Sequence, residues 1–94
     1  MRFEWDPRKN SENIRKHGVS FEEATSVFLD EHAIEYYDPD HSENEDRFLL
    51  VGWSGHSRAL VVCYCHRKSH TVIRIISARK ADSGEEKDYQ EGIK

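Results

Sequence analysis

The chain has 94 residues, of which 36% are hydrophobic and 34% charged, and a net charge of −4. A chain this size buries roughly 60–65% of its unfolded surface. One domain spanning residues 1–94 is therefore expected. No apolar run approaches the ~18 residues that would suggest a membrane span, and "MRFEWDPRKN" carries no apolar signal region. Cys63 and Cys65 stand two apart in a predicted strand, where they share a face. A disulfide between them would strain that strand, so a reducing, cytoplasmic setting is expected.

In chain order, "RFEW" alternates and predicts a short strand with Phe3 and Trp5 on one face. "DPRKNSENIRKHG" predicts a complete helix, with Asp6 as cap, Pro7 at the first helical position and Gly18 after its end. Its best stripe is Asn10, Asn13, Ile14 and His17, in which only Ile14 is apolar. Such a helix is either a solvated element held by caps and pairs, or one whose polar face has a task. "VSFEEATSVFLDE" predicts a second helix, with a capping box of Ser20 and Glu23 and a staple from Val19 to Ala24. Its residues Phe21, Ala24, Thr25 and Phe28 face the core. "AIEYYDPD", "RFLLVGWS", "RALVVCYCHR" and "TVIRIISA" read as strands. The short links "SGHS" and "KS" imply antiparallel hairpins. "DSGEEKDYQEG" predicts a terminal helix, capped by Ser83 with Glu86 and ending near Gly92. The fold class is α+β, in the order β-α-α-β-β-β-β-α, with two N-terminal helices on one face of a small, mostly antiparallel sheet and a short C-terminal helix.

The stretch Ser57–Lys80 stands out: it carries Arg58, Arg67, Lys68, Arg74, Arg79 and Lys80 and no Asp or Glu. It is +6 in a chain of −4, which leaves −10 for everything outside it. Binding a phosphate chain needs local cations, not a basic whole molecule. Arg74 stands between Ile73 and Ile75 and is expected to face away from them, beside Val72 and Ile76. There it is either a functional group on an open sheet face or a side chain snorkelling from an edge. Lys16 and His17 end the first helix, where the helix dipole favours positive charge, which suits His17 to proton donation. Arg47 opens its strand and either binds phosphate or pairs with Glu45 or Asp46.

Two metal arrangements compete. Cys63, Cys65, His66 and His70 are ligand types, but alternation sends His66 away from both thiols. The run Asp30–Asp46 holds eight carboxylates and no Lys or Arg, and such a cluster could hold Mg²⁺. Most of it lies in one loop, without carboxylates from distant elements, and a solvated charge run is the plainer reading. No metal or cofactor is therefore expected.

"FEWDPRKNSENIRKHGVSFEEATSVF", "DR" before the second long strand, "IRIISARKA" and a late Tyr together resemble the BrnT family of bacterial type II toxins over nearly the whole chain. The sequence departs from the family at Tyr64, where a His is common. The resemblance implies a RelE-like fold, a growth-arresting ribonuclease, and a small dimeric DNA-binding antitoxin of the ribbon-helix-helix type. It also implies that Arg79, at the end of the last strand, faces the scissile phosphate, and that Tyr89 stacks on a base or holds the 2′-hydroxyl; the alternatives are a surface Arg79 paired with Asp82, Glu85 or Glu86, and a Tyr89 that packs the terminal helix on the sheet. The expected site is thus Arg79, Arg74, Lys16, His17 and Tyr89 for catalysis, with Arg47, Arg67, Lys68 and Lys80 binding RNA. The expected reaction is metal-independent attack by the RNA's own 2′-hydroxyl. The alternative is a non-enzymatic module that binds RNA or protein through the same cations.

Overall fold

The computed structural model describes residues Met1–Ile93. The elements are β1 (Arg2–Glu4), α1 (Pro7–His17), α2 (Phe21–Ser26), β2 (Ile34–Tyr37), β3 (Arg47–Trp53), β4 (Ala59–Arg67), β5 (Val72–Lys80) and α3 (Ser83–Ile93). The second helix is shorter than its pattern predicts, because Val27–Leu29 tighten into a 3₁₀ turn. Five strands form one mixed sheet in the order β1-β5-β4-β3-β2, with β1 parallel to β5 and the other pairs antiparallel.

Local chemistry explains most boundaries. Asp6 caps α1 by accepting from Arg8 N, and Gly18 closes it at φ 67°, a left-handed conformation that favours glycine. Ser20 caps α2 by accepting from Glu23 N at 3.0 Å, but the predicted box is only half formed. The Glu23 carboxylate turns away to Arg58 and Ser54. At α3 the predicted box is one residue out of register. Glu85 N donates to Asp82 Oδ1 at 2.8 Å and Asp82 N donates back to Glu85 Oε1 at 2.9 Å, so the pair is Asp82 with Glu85, not Ser83 with Glu86. The second hairpin link runs from Lys68 to Thr71, longer than the two residues expected, and is closed by Thr71 N on Lys68 O.

The two faces of the sheet are covered unequally. On one, Val19, Phe21, Ala24 and Val27 pack on Leu50, Leu60, Val62, Ile73, Ile75 and Ala78, with Phe3 and Trp5 alongside as the alternation of β1 predicts. Gly52 lets this layer close, because a Cβ there would come within 2.9 Å of Ala33 and Val27. On the other face α3 covers only one end, where Tyr89 packs with Val51 and Val61 beside Leu49 and Ala81.

The first helix does not lie on the core as expected; it lies along an edge. Strand β1 pairs only with Val72–Arg74, so the later half of β5 has no strand neighbour on that side. Asn13 fills the gap. Its Nδ2 donates to Ala78 O at 2.7 Å and to Val19 O at 2.8 Å, while its Oδ1 accepts from Ala78 N at 3.1 Å. Asn10 Oδ1 accepts from Phe21 N at 2.9 Å and ties α1 to α2. The polar stripe of α1 thus holds the helix in place, while Ile14 stays half exposed.

Candidate active site

The placement of the strand cations turns on one irregularity. Tyr64 pairs with Ile75 and Cys63 with Ser77, which leaves Ile76 as an extra residue in a β-bulge. Arg74 and Arg79 are five apart, so a regular strand would send them to opposite faces. The bulge returns both to the face partly covered by α3. The expectation that Arg74 and Ile76 are ordinary neighbours along one face fails for the same reason. Between the two arginines on that face lies the row Ser77, Cys63 and Leu49.

Three cavities share lining residues in series, and Arg79 lines the middle one. One of about 220 Å³, against α1, is lined by Lys9, Glu12, Asn13, Lys16, His17, Ile76 and Ser77. The next, of about 70 Å³, shares His17 and Ser77 and adds Arg79, with Cys63, Leu49, Val61 and Ala78 behind. The third, of about 300 Å³, shares Leu49 and Val61 and opens between Tyr36, Val51, Glu85 and Asp88. His17 meets Arg79 because α1, held at the β5 edge by Asn13, ends level with the bulge. Lys16, His17 and Arg79 thus line adjoining recesses, whereas Lys80, paired with Leu60, falls on the opposite face of the sheet and outside this groove.

Arg79 is not a bare cation. Its Nη1 and Nη2 donate to the two carboxylate oxygens of Glu85 at 2.7 and 2.8 Å, and Nη1 also reaches Lys80 O. The Glu85 fork raises the affinity of Arg79 for its proton, and Arg79 holds the Glu85 carboxyl below the usual carboxylate range. The Arg79 side chain is 43% exposed. Among the described residues its Nε makes no hydrogen bond, so the edge formed by Nε and the second Nη2 hydrogen is open to an anion.

The other predicted residues fall elsewhere. Arg74 donates to Glu4 at 2.7 Å, Arg67 pairs with Glu45 at 3.3 Å and with Glu4 at 3.9 Å, and Arg47 lies 3.6 Å from Glu45. These three, with Lys68 in the hairpin link, gather at the end of the sheet away from Arg79. Arg58 belongs to neither group. It forks onto Glu23, whose side chain is 1% exposed, and donates to Gly18 O. The +6 stretch is thus largely neutralised by Glu4, Glu23, Glu45 and Glu85 from flanking elements. The cations of α1 are different: among the described residues Arg8, Lys9, Arg15 and Lys16 form no ion pair. Sequence reasoning passed over Lys9, although its spacing of seven from Lys16 puts both on one helix face.

Tyr89 is a correction. It is buried, and its hydroxyl donates to Asp30 Oδ2 at 2.5 Å. Burial and the Asp30 carboxylate push the phenol up to about 12. It docks α3 on the sheet and offers no free hydroxyl to an RNA. Burial pushes Asp30 up, but hydrogen bonds from Trp53 N, Tyr89 and His32 N outweigh it, and its carboxyl titrates below the usual range. Other acids of the Asp30–Asp46 run are also engaged: Glu35 by Tyr64, Asp38 by His41, Asp46 by Tyr37 and Glu45 by Arg67. Among the described residues no group of three His, Cys, Asp or Glu side chains is placed to share a cation. Cys63 and Cys65 are free, buried thiols on the face opposite His66, and burial raises both above the ordinary thiol range.

An α+β chain with three helices, a five-stranded mixed sheet and an Arg–His groove at the bulge of its last strand fits a phosphate-handling enzyme. Comparison with known proteins makes the class specific. The sequence model of the family described as "Ribonuclease toxin, BrnT, of type II toxin-antitoxin system" matches residues 5–85. The chain is also similar to the ribonuclease toxin BrnT of Brucella abortus in its crystal structure. The TM-score is 0.66 and the identity 25%, over 88% of this chain and 99% of that one. No curated protein sequence matches it. The chain belongs to the BrnT family of ribonuclease toxins of type II toxin–antitoxin systems. It is accordingly an endoribonuclease toxin, with RNA as its target and an antitoxin as its partner. Among the described residues no helix is long and apolar enough to cross a membrane.

Proposed function

We propose that RNA is cut in the groove between α1 and β5 by side-chain chemistry, without a metal ion. The observation that carries this reading is the convergence of His17 and Arg79 on one cavity, with Lys16 and Lys9 lining the approach to it. The 2′-hydroxyl gives up its proton to solvent water and attacks the adjacent phosphorus, and the bond to the 5′-oxygen breaks. The products are a 2′,3′-cyclic phosphate and a free 5′-hydroxyl. The open Nε–Nη2 edge of Arg79 donates to the phosphorane oxygens, a task suited to a planar fork that stays charged. His17 gives a proton to the departing 5′-oxygen, and Lys16 adds positive charge beside it.

Glu85 is a positioning residue in this scheme. It holds Arg79 from one side and α3 from the other, so the guanidinium meets the phosphate already oriented. Arg74, Arg47, Arg67 and Lys68 serve as outlying contacts to RNA. They are weaker ones than Lys9 and Lys16, because Glu4 and Glu45 already neutralise the three arginines. The antitoxin, a ribbon-helix-helix dimer, lays an acidic or apolar segment over the cationic groove.

His17→Ala and Lys16→Ala test the assignment directly. Both side chains are exposed, and such substitutions usually change stability by about 0.5 kcal/mol or less. Cleavage by His17→Ala should fall by about 10²–10⁴-fold, and by Lys16→Ala less. Wild-type rates in a folded His17→Ala protein would remove His17 from the reaction.

A further inference from the structure

The third cavity of the groove, beyond Arg79, has no part in the chemistry above. Its floor is apolar, made by Leu49, Val51 and Val61. Its walls are Tyr36, 43% exposed on the edge strand β2, and the carboxylates of Glu85 and Asp88 on α3. Glu85 and Asp88 are three apart on a helix and therefore share a face. The two acids differ in what they have left to offer. Both Glu85 oxygens accept from Arg79. Among the described residues Asp88 accepts no hydrogen bond from another side chain or from the backbone outside its own helix. One unengaged carboxylate, a phenol ring and a flat apolar floor thus stand one side chain away from Arg79.

We infer that this cavity is a base-recognition site that seats a guanine flanking the scissile phosphate. The inference rests on the proposed cleavage site, because continuity with Arg79 is what selects a nucleotide as the occupant. A phosphate on Arg79 leaves its neighbouring base within reach of a recess that begins at the other side of Glu85. The floor and Tyr36 offer stacking, which any base accepts. Asp88 adds discrimination. A carboxylate is acceptor-only. Guanine presents N1–H and N2–H₂ side by side on its Watson–Crick edge and can donate to both oxygens. Adenine and cytosine each present one amino donor beside a ring-nitrogen acceptor. Uracil presents a single N3–H between two carbonyls. Only guanine meets Asp88 without setting a lone pair against a carboxylate.

The test uses the purified chain and short RNA oligonucleotides that differ in one base, in two forms. Unmodified RNA reports cleavage; its 2′-O-methyl counterpart, which cannot react, reports binding. Guanine beside the cut should be preferred by about tenfold or more in both forms, as for a good bidentate contact. Asp88→Asn should abolish that preference with an unchanged thermal midpoint. Tyr36→Ala should weaken binding of every oligonucleotide by about 5–100-fold, and Tyr36→Phe should restore it. Equal binding of the four bases by the wild-type chain would overturn the inference, even if Arg79-dependent cleavage proceeds. So would an Asp88→Asn protein that keeps the preference. If the two variants left RNA untouched and weakened only antitoxin binding, the cavity would be a protein-docking site and the inference would fail. A guanine preference in binding that Asp88→Asn removes, without cleavage of any RNA, would uphold the cavity and refute the cleavage site.

Discussion

Arg79 and Arg58 carry the same charge to opposite ends. The Arg58 fork is spent on a buried acid. Glu23 is held below its ordinary range by Arg58 and Ser54, and removing Arg58 strands it without its partner. Arg58→Ala should cost about 3 kcal/mol or more. The thermal midpoint should then drop by roughly 12 °C or more, at about 4–8 °C per kcal/mol for a domain of this size. A midpoint within a few degrees of wild type would mean that Glu23 does not depend on Arg58. Arg79 spends one edge on Glu85 and keeps another open, so Arg79→Ala should lower cleavage by about 10²–10³-fold with a much smaller loss of stability. The pair also leaves a signature in pH. Arg79 depresses Glu85, so its stabilisation is complete above the unfolded carboxyl value of about 4.3. It is lost as pH falls through the lower folded value. The midpoint of the wild-type chain should therefore fall more steeply below about pH 4.3 than that of Arg79→Ala, and parallel curves would contradict the pairing. The sequence offers Glu85 as one of three acidic partners for Arg79 without singling it out, and it offers none for Arg58. Arg79 was recognisable as exceptional from its family motif, whereas Glu23 read as an ordinary capping residue and Arg58 as one more member of a basic stretch.

Helices and strands show why some of the structure was legible and some was not. Caps and alternation are local, and they predicted the order of elements, the close of α1 at Gly18 and the packing of Phe3 and Trp5 against the core. The bulge at Ile76 is not local: it arises where β4 and β5 fall out of step, and it decides which face Arg79 occupies. The role of α1 was hidden for a related reason. Hydrophobic periodicity reports apolar burial, and α1 is held by amides instead. Asn13→Ala would leave the Ala78 backbone groups without partners in a buried setting, at about 1–3 kcal/mol for such a loss. It should also lower cleavage beyond what stability explains, because α1 carries Lys16 and His17 to the groove. Normal cleavage by a folded Asn13→Ala chain would separate the helix anchor from the site. The Asp82–Glu85 box was missed by one residue, since Ser83 with Glu86 satisfies the same pattern in sequence and only the contact with Arg79 distinguishes them.

At the scale of the whole molecule, an acidic chain gathers its arginines on central strands because flanking elements return carboxylates to them. Among the described residues four of the cations that form no ion pair, Arg8, Lys9, Arg15 and Lys16, lie together on α1. Affinity for RNA should therefore weaken with salt, and Lys9→Gln with Lys16→Gln should flatten that dependence more than Arg67→Gln with Arg74→Gln. The reverse order would put the RNA track at the far end of the sheet. The central claim is that side chains alone cut the RNA. The carboxylates of the Asp30–Asp46 run support it, because several already accept from Tyr, His, Arg or backbone donors. The most direct measurement is cleavage in excess EDTA with the product ends identified. Side-chain chemistry predicts undiminished cutting, 2′,3′-cyclic or 3′-phosphate ends and free 5′-hydroxyls, and resistance of 2′-O-methylated RNA. Loss of activity in EDTA, rescue by Mg²⁺ and 5′-phosphate products would contradict it and move the site to Asp38, Asp40, Glu43 and Asp46.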